Sequence, residues 1–304
     1  MYLYHYGLTR LPFTLTPNTQ FYCQLPPHQE ALQVLHTALA AGEGFIKVSG
    51  EVGTGKTMIC RKLINDLSDH YQFAWLPNPY LNGQELRRAF AAELGLGGDL
   101  DPLQLTQAIS DKLMACAMAN KPVVVVVDEA QALPDDSLEA LRLFTNLETE
   151  SFKLLQVVLL GQPELDQRLA EPQLRQLRQR ITFAYKLRGL SQQECFDYLQ
   201  HRLQVAGYRG TPLFSPALAT LIWRRSGGIP RLVNVIAHKC LMLGFGGNVA
   251  RLNRQLVERA IADTEAVEPQ RWWRYLPTSG ITWLCIWALL LTGFWLRFFP
   301  EVGL

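Results

Sequence analysis

Eight consecutive residues, Gly50-Glu51-Val52-Gly53-Thr54-Gly55-Lys56-Thr57, have the spacing of a phosphate-binding loop. The glycines let the backbone approach an anion closely. A loop that opens a helix also turns unpaired N–H groups and the positive end of the helix dipole toward it. In such a loop Lys56 reaches the β and γ oxygens of a polyphosphate, and the Thr57 hydroxyl ligates Mg²⁺. Residues Gly50 through Met58 are therefore the candidate nucleotide-binding set. A second acidic element, Asp128-Glu129-Ala130-Gln131, follows about seventy residues later. A carboxylate at the exit of a strand beside a phosphate loop is where a nucleotide's metal sits, which assigns Asp128 to Mg²⁺. Glu129, one residue further, is placed to orient and activate an attacking water.

Both elements need a rigid frame. The run 45–48 before the loop is short and β-prone, and the residues after it have apolar positions three and four apart, as a helix requires. Val123-Val124-Val125-Val126-Val127 is a run of five β-branched residues, expected of a central parallel strand covered on both faces. Further strands are expected over 72–76, 154–160 and 181–187. Helices are expected over 82–96, where Asn82 and Glu85 make a capping box, and over 102–119 and 135–147. Strands alternating with helices predict a parallel five-stranded α/β sheet with helices on both faces. Beyond Arg188 only helices are expected: 192–205 behind the Ser191/Glu194 capping box, one opened by Ser215-Pro216, then 231–243 and 253–266.

Composition narrows the class. The net charge of +2 offers no field for an acidic partner. The six cysteines are scattered with no C-x-x-C pair, which argues against a zinc site or a disulfide framework. No signal peptide opens the chain. Residues 276–296 include no charged side chain, long enough as a helix to cross about 30 Å of hydrocarbon. Trp272, Trp273, Tyr275, Phe298 and Phe299 flank it as interfacial aromatics, and Arg259, Arg271 and Arg274 on its N-terminal side place the bulk of the chain in the cytoplasm. The expected organisation is a nucleotide-binding domain over 1–190, a helical lid over 191–268, a linker over 269–275, a transmembrane helix over 276–299 and a tail over 300–304.

The phosphate loop, the valine strand with its acidic exit, and the helical lid together resemble the AAA+ ATPases. More narrowly, Leu160-Gly161-Gln162-Pro163-Glu164-Leu165, Gln179-Arg180-Ile181 and Gly227-Gly228-Ile229-Pro230-Arg231 are similar to the ExeA/GspA secretion ATPases. So are Tyr6-Gly7-Leu8, Pro12-Phe13 and Thr16-Pro17-Asn18. The resemblance implies an ATP hydrolase using ATP and Mg²⁺. Gln162 would be the sensor that contacts the γ-phosphate or the attacking water. Arg180, with Arg178 as the alternative, would be an arginine finger reaching the neighbouring subunit's nucleotide. Arg231 would be the lid's sensor for the γ-phosphate, and residues 6–22 would wrap the adenine. It further implies a homo-oligomer at the bacterial inner membrane, single-pass, with pilus or secretion assembly proteins as partners: an MSHA-like type IV pilus or a type II secretion apparatus. ExeA-like proteins carry a peptidoglycan-binding domain after the membrane helix, and the sequence ending at Leu304 leads us to expect the motor and anchor alone. Two other readings stay open. One is a nucleotide-switched scaffold with little turnover; the other is a DNA-handling ATPase of the initiator or transposition type, although nucleic acid is not the expected partner.

Overall fold

The computed structural model describes residues 2–77, 80–97, 100–145 and 153–264, and residues 1–264 form one compact unit. Its frame is a five-stranded parallel sheet: β1 (Phe45–Gly50), β2 (Gln72–Leu76), β3 (Val123–Val127), β4 (Leu155–Gly161) and β5 (Ile181–Leu187), in the spatial order β2-β3-β4-β1-β5. Every neighbouring pair is parallel, with Val48 opposite Leu160 and Val125 opposite Val157.

The five valines of β3 explain the layering. Successive side chains of a strand point to opposite faces. Val123, Val125 and Val127 pack with Leu86, Phe90, Ile109 and Phe144 on one face. Val124 and Val126 pack with Leu35, Ile46, Ile59 and Leu63 on the other. All five are fully buried, so neither face tolerates a polar residue.

The short α1 (Tyr2–Tyr6) packs outside the sheet, its Tyr2 hydroxyl bonded to His238, and the helices that cover the two faces begin with α2 (Pro26–Ala40) and α3 (Lys56–Leu67). They continue with α4 (Gly83–Glu93), α5 (Pro102–Met118), α6 (Asp135–Phe144), α7 (Pro163–Leu169) and α8 (Arg175–Arg180). Their starts follow local chemistry. Asn82 accepts from the backbone of Gln84 and Glu85 at 3.0 Å each, and Glu85 accepts from the Asn82 N–H at 2.9 Å. Asp101 and Gln104 make the same reciprocal pair at the start of α5.

After β5 the chain is helical: α9 (Gln192–Val205), α10 (Pro216–Ser226), α11 (Pro230–Gly246) and α12 (Arg254–Ala262). The passage from sheet to helices is tight. Gly227 and Gly228 adopt left-handed φ values of +61° and +72°, and a Cβ on Gly228 would lie 2.2 Å from the Leu190 carbonyl oxygen. Leu190 N–H in turn donates to Gly228 O at 2.8 Å, and the Trp223 indole donates to Leu190 O at 2.8 Å. Among the described residues no helix is long and apolar enough to cross a membrane. The span expected at 276–299, with its linker and tail, lies outside the described residues.

Candidate functional site

The phosphate loop lies where the sequence puts it, between the exit of β1 and the first turn of α3. Gly53 and Gly55 take φ values of +81° and +107°, which a side chain would oppose. Thr54 is turned inward, its hydroxyl donating to Glu51 O at 2.8 Å. Beneath it, the Nε2–H of the buried His28 donates to Thr54 O at 2.9 Å. A carbonyl can only accept, so Nε2 carries a proton in this bond, and burial lowers the His28 pKa against the pull of its backbone hydrogen bonds.

Lys56 is 4% exposed. Its ammonium donates to Gly50 O at 2.6 Å and Glu51 O at 3.1 Å. Burial pulls its pKa down, against the attraction of Glu129, Asp128 and Glu51. A polyphosphate would therefore compete with two loop carbonyls for a desolvated cation, a contest that a full negative charge wins. Thr57 Oγ1 donates to Asp128 Oδ2 at 2.7 Å, so hydroxyl and carboxylate meet across 71 residues of sequence. One carboxylate and one hydroxyl form an all-oxygen donor set that fits Mg²⁺, which keeps several waters and takes its remaining ligands from phosphates.

Glu129, two residues beyond β3, has the left-handed φ of +54°. Its Oε2 accepts from Gln131 Nε2 at 2.7 Å and from Gln162 Nε2 at 2.8 Å. Burial raises the Glu129 pKa, but the two amide donors and Lys56 outweigh it and leave the carboxyl below its ordinary value.

A cavity of about 290 Å³ opens beside these groups. Val52, Gly53, Gly55, Lys56, Thr57 and Met58 form its phosphate side, with Glu129 at the margin. Pro230, Arg231 and Asn234 of α11 line it from the helices, as do Tyr198 and Arg202 of α9. The lid contact is direct: Arg231 N–H donates to Gly53 O at 3.1 Å. Gly50, Glu51 and Thr54 shape the loop without lining the cavity.

The N-terminal segment divides in two. Thr14, Leu15, Thr16, Pro17, Phe21 and Tyr22 line the cavity. Tyr6 does not: its hydroxyl donates to Val249 O at 3.2 Å, at the far end of α11. Sequence reading missed Arg202, which is 5% exposed and donates to Pro12 O at 2.5 Å while its guanidinium sits 4.7 Å from the Phe21 ring centroid. It also missed Arg168 of α7, which donates to Gln131 O and Leu133 O at 2.6 Å each.

Arg180 is absent from this cavity. It ends α8 just before Ile181, which opens β5 opposite Phe45, the first residue of β1. The loop begins five residues further along β1, so Arg180 sits about 16 Å along the strand axis from the phosphate loop. Its Nη1 donates to Thr145 Oγ1 at 3.3 Å, while Arg178 is exposed.

Residues 39–169 match the family model described as an AAA domain, which includes β1, the phosphate loop, β3 and β4. The chain is 41% identical to the general secretion pathway protein A of Aeromonas hydrophila over 308 aligned residues. That alignment covers 99% of this chain and 55% of the relative, so the chain spans about half the relative's length. Among solved structures, Cdc6p from Pyrobaculum aerophilum superposes with a TM-score of 0.60 at 18% identity, covering 81% of this chain and 70% of that one. The Aeropyrum pernix ORC2 protein, solved as ADPNP–ADP complexes, superposes with a TM-score of 0.62 at 14% identity, covering 83% and 73%. At such identities the likeness is one of fold. The parallel sheet and its phosphate loop give this chain the P-loop α/β fold, residues 39–169 of it match an AAA domain, and the sequence is similar along nearly its whole length to general secretion pathway protein A.

Proposed function

We propose that the chain is a membrane-anchored ATPase that binds and hydrolyses ATP to support assembly of a secretion apparatus or a type IV pilus of the MSHA kind. The observation that carries this reading is the meeting of Thr57, Asp128 and Glu129 beside the cavity that Lys56 and Arg231 border. Lys56 and the loop N–H groups hold the phosphates. Thr57 and Asp128 are the residues that would hold Mg²⁺, which supplies neutralising charge to the transferring phosphoryl group. Glu129 orients and deprotonates the attacking water, and Gln162 senses the γ-phosphate from the exit of β4. Arg231 brings the lid's charge to the phosphates, and its contact with Gly53 gives hydrolysis a route to lid movement.

Arg180 completes the site of a neighbouring copy. Its position at the opposite edge of the sheet supports a role between subunits, because it cannot serve its own pocket. The similarity to general secretion pathway protein A supports secretion-assembly partners and a place at the inner membrane, anchored through 276–299. The likeness to Cdc6p and ORC2 is one of fold and assigns no DNA partner.

The test is Glu129→Gln. It should leave ATP affinity unchanged and lower turnover by about two orders of magnitude or more, because it removes the base while keeping the shape. Undiminished turnover would overturn the role of Glu129. Absence of turnover in the unaltered chain, with ATP still bound, would replace the ATPase reading by the nucleotide-switched scaffold.

A further inference from the structure

Gln131 stands two residues beyond Glu129, in a single 3₁₀ turn (Ala130–Ala132), and its side chain is used at both ends. Nε2 donates to Glu129 Oε2 at 2.7 Å. Oε1 accepts the backbone N–H of Gln162 at 2.9 Å. Gln162 Nε2 closes the ring by donating to the same Glu129 oxygen at 2.8 Å. One amide thus links the exit of β3 to the exit of β4.

Two further features accommodate this amide. A Cβ at Gly161 would come 3.3 Å from Gln131 Oε1 and 2.6 Å from Leu165 Cδ2, so the side chain passes where residue 161 has none. The turn itself is braced from α7, where Arg168 donates to the carbonyls of Gln131 and Leu133 and pairs with Asp135. Both amide donors reach Oε2 of Glu129. Its Oε1 accepts no hydrogen bond from the described residues and is the oxygen left for a water.

We propose that Gln131 is a positioning residue for hydrolysis: it anchors one oxygen of Glu129 to the end of β4, so that the other is held ready for the attacking water and the base moves with the γ-phosphate sensor. This rests on the ATPase reading above. A carboxylate held by two donors on one oxygen has little rotational freedom, and losing one charge-assisted bond frees it to turn away. Gln131→Glu separates the two ends of the amide. It keeps an acceptor for the Gln162 N–H, loses the donor to Glu129 and sets a like charge beside it.

The experiment measures steady-state ATP turnover and binding of a fluorescent ATP analogue for the full chain, with Gln131→Ala and Gln131→Glu each made in the unaltered and the Glu129→Gln background. We expect Gln131→Ala to lower kcat by about tenfold or more with KM and Kd unchanged. Gln131→Glu should fall at least as far, and both should be silent once Glu129 is Gln. Unaltered kcat in Gln131→Glu overturns the proposal while the ATPase reading stands. So does a Gln131→Ala effect of equal size in the Glu129→Gln background, or a loss of binding that parallels the loss of turnover. A chain without any turnover overturns the ATPase reading, and the proposal falls with it.

Discussion

Replacing Gly53 by alanine tests whether the loop and the lid form one structure. The new Cβ would stand 2.5 Å from Cβ of Arg231 and 3.1 Å from its Cδ. Two terms add. An alanine at φ +81° is strained by about 1–2 kcal/mol. The clash then forces α11 back, and the bond from Arg231 N–H to Gly53 O is lost at about 0.5–1.5 kcal/mol. Gly95 supplies the control, because it has φ +74° but nothing within 4 Å of its Cβ. Gly95→Ala should therefore show the strain alone. Denaturant unfolding should place Gly53→Ala below Gly95→Ala by roughly the second term. A nucleotide that touches both Gly53 and Arg231 feels the same displacement, so its Kd should rise by about twofold to tenfold in Gly53→Ala and stay unchanged in Gly95→Ala. Equal stabilities and equal affinities in the two variants would refute the coupling of loop to lid.

The remaining predictions concern partnership and pH. Arg180→Ala and Glu129→Gln should each retain only residual turnover alone, yet an equal mixture should regain up to about a quarter of full turnover, since some interfaces then pair an intact Glu129 with an intact Arg180. No recovery on mixing would place Arg180 outside the neighbour's site. Burial lowers the pKa values of His28, His201 and His238, so the unfolded chain takes up protons before the folded one as pH falls through about 6.5. Stability should therefore decline between pH 7 and 5.5, above the range where carboxylates titrate, and the decline should be shallower in His28→Gln. A flat or rising profile in that window would contradict the burial of these rings.

Much of the frame is legible in the sequence because its signals are local. Five valines in a row announce a strand covered on both sides, and Asn82/Glu85 and Ser191/Glu194 announce helix starts through bonds spanning three residues. The loop and the Asp128-Glu129 pair are legible because each residue type has one use at that spacing. What stayed hidden is short or distant. With seven and six residues, α7 and α8 have too few turns to show a helical period, and α2 (Pro26–Ala40) lies in a stretch for which no element is expected from the sequence. The bracing of Glu129 by Gln131 depends on Gln162, 31 residues further on, and the support of the loop by His28 depends on a fold that brings α2 beneath it. Neither leaves a periodic trace.

The placement of Arg180 at the strand-start edge, with the pocket at the strand-exit edge, gives each copy a front and a back. Under the role proposed for Arg180, copies stacked in one direction each lend a guanidinium forward and borrow one from behind, a head-to-tail contact. An open row of such copies always ends in one incomplete pocket and one idle arginine, whatever its length. Only closure into a circle removes both. Turnover per copy in an open row therefore rises with the number of copies, most steeply at the shortest lengths, and a closed circle makes every copy equivalent.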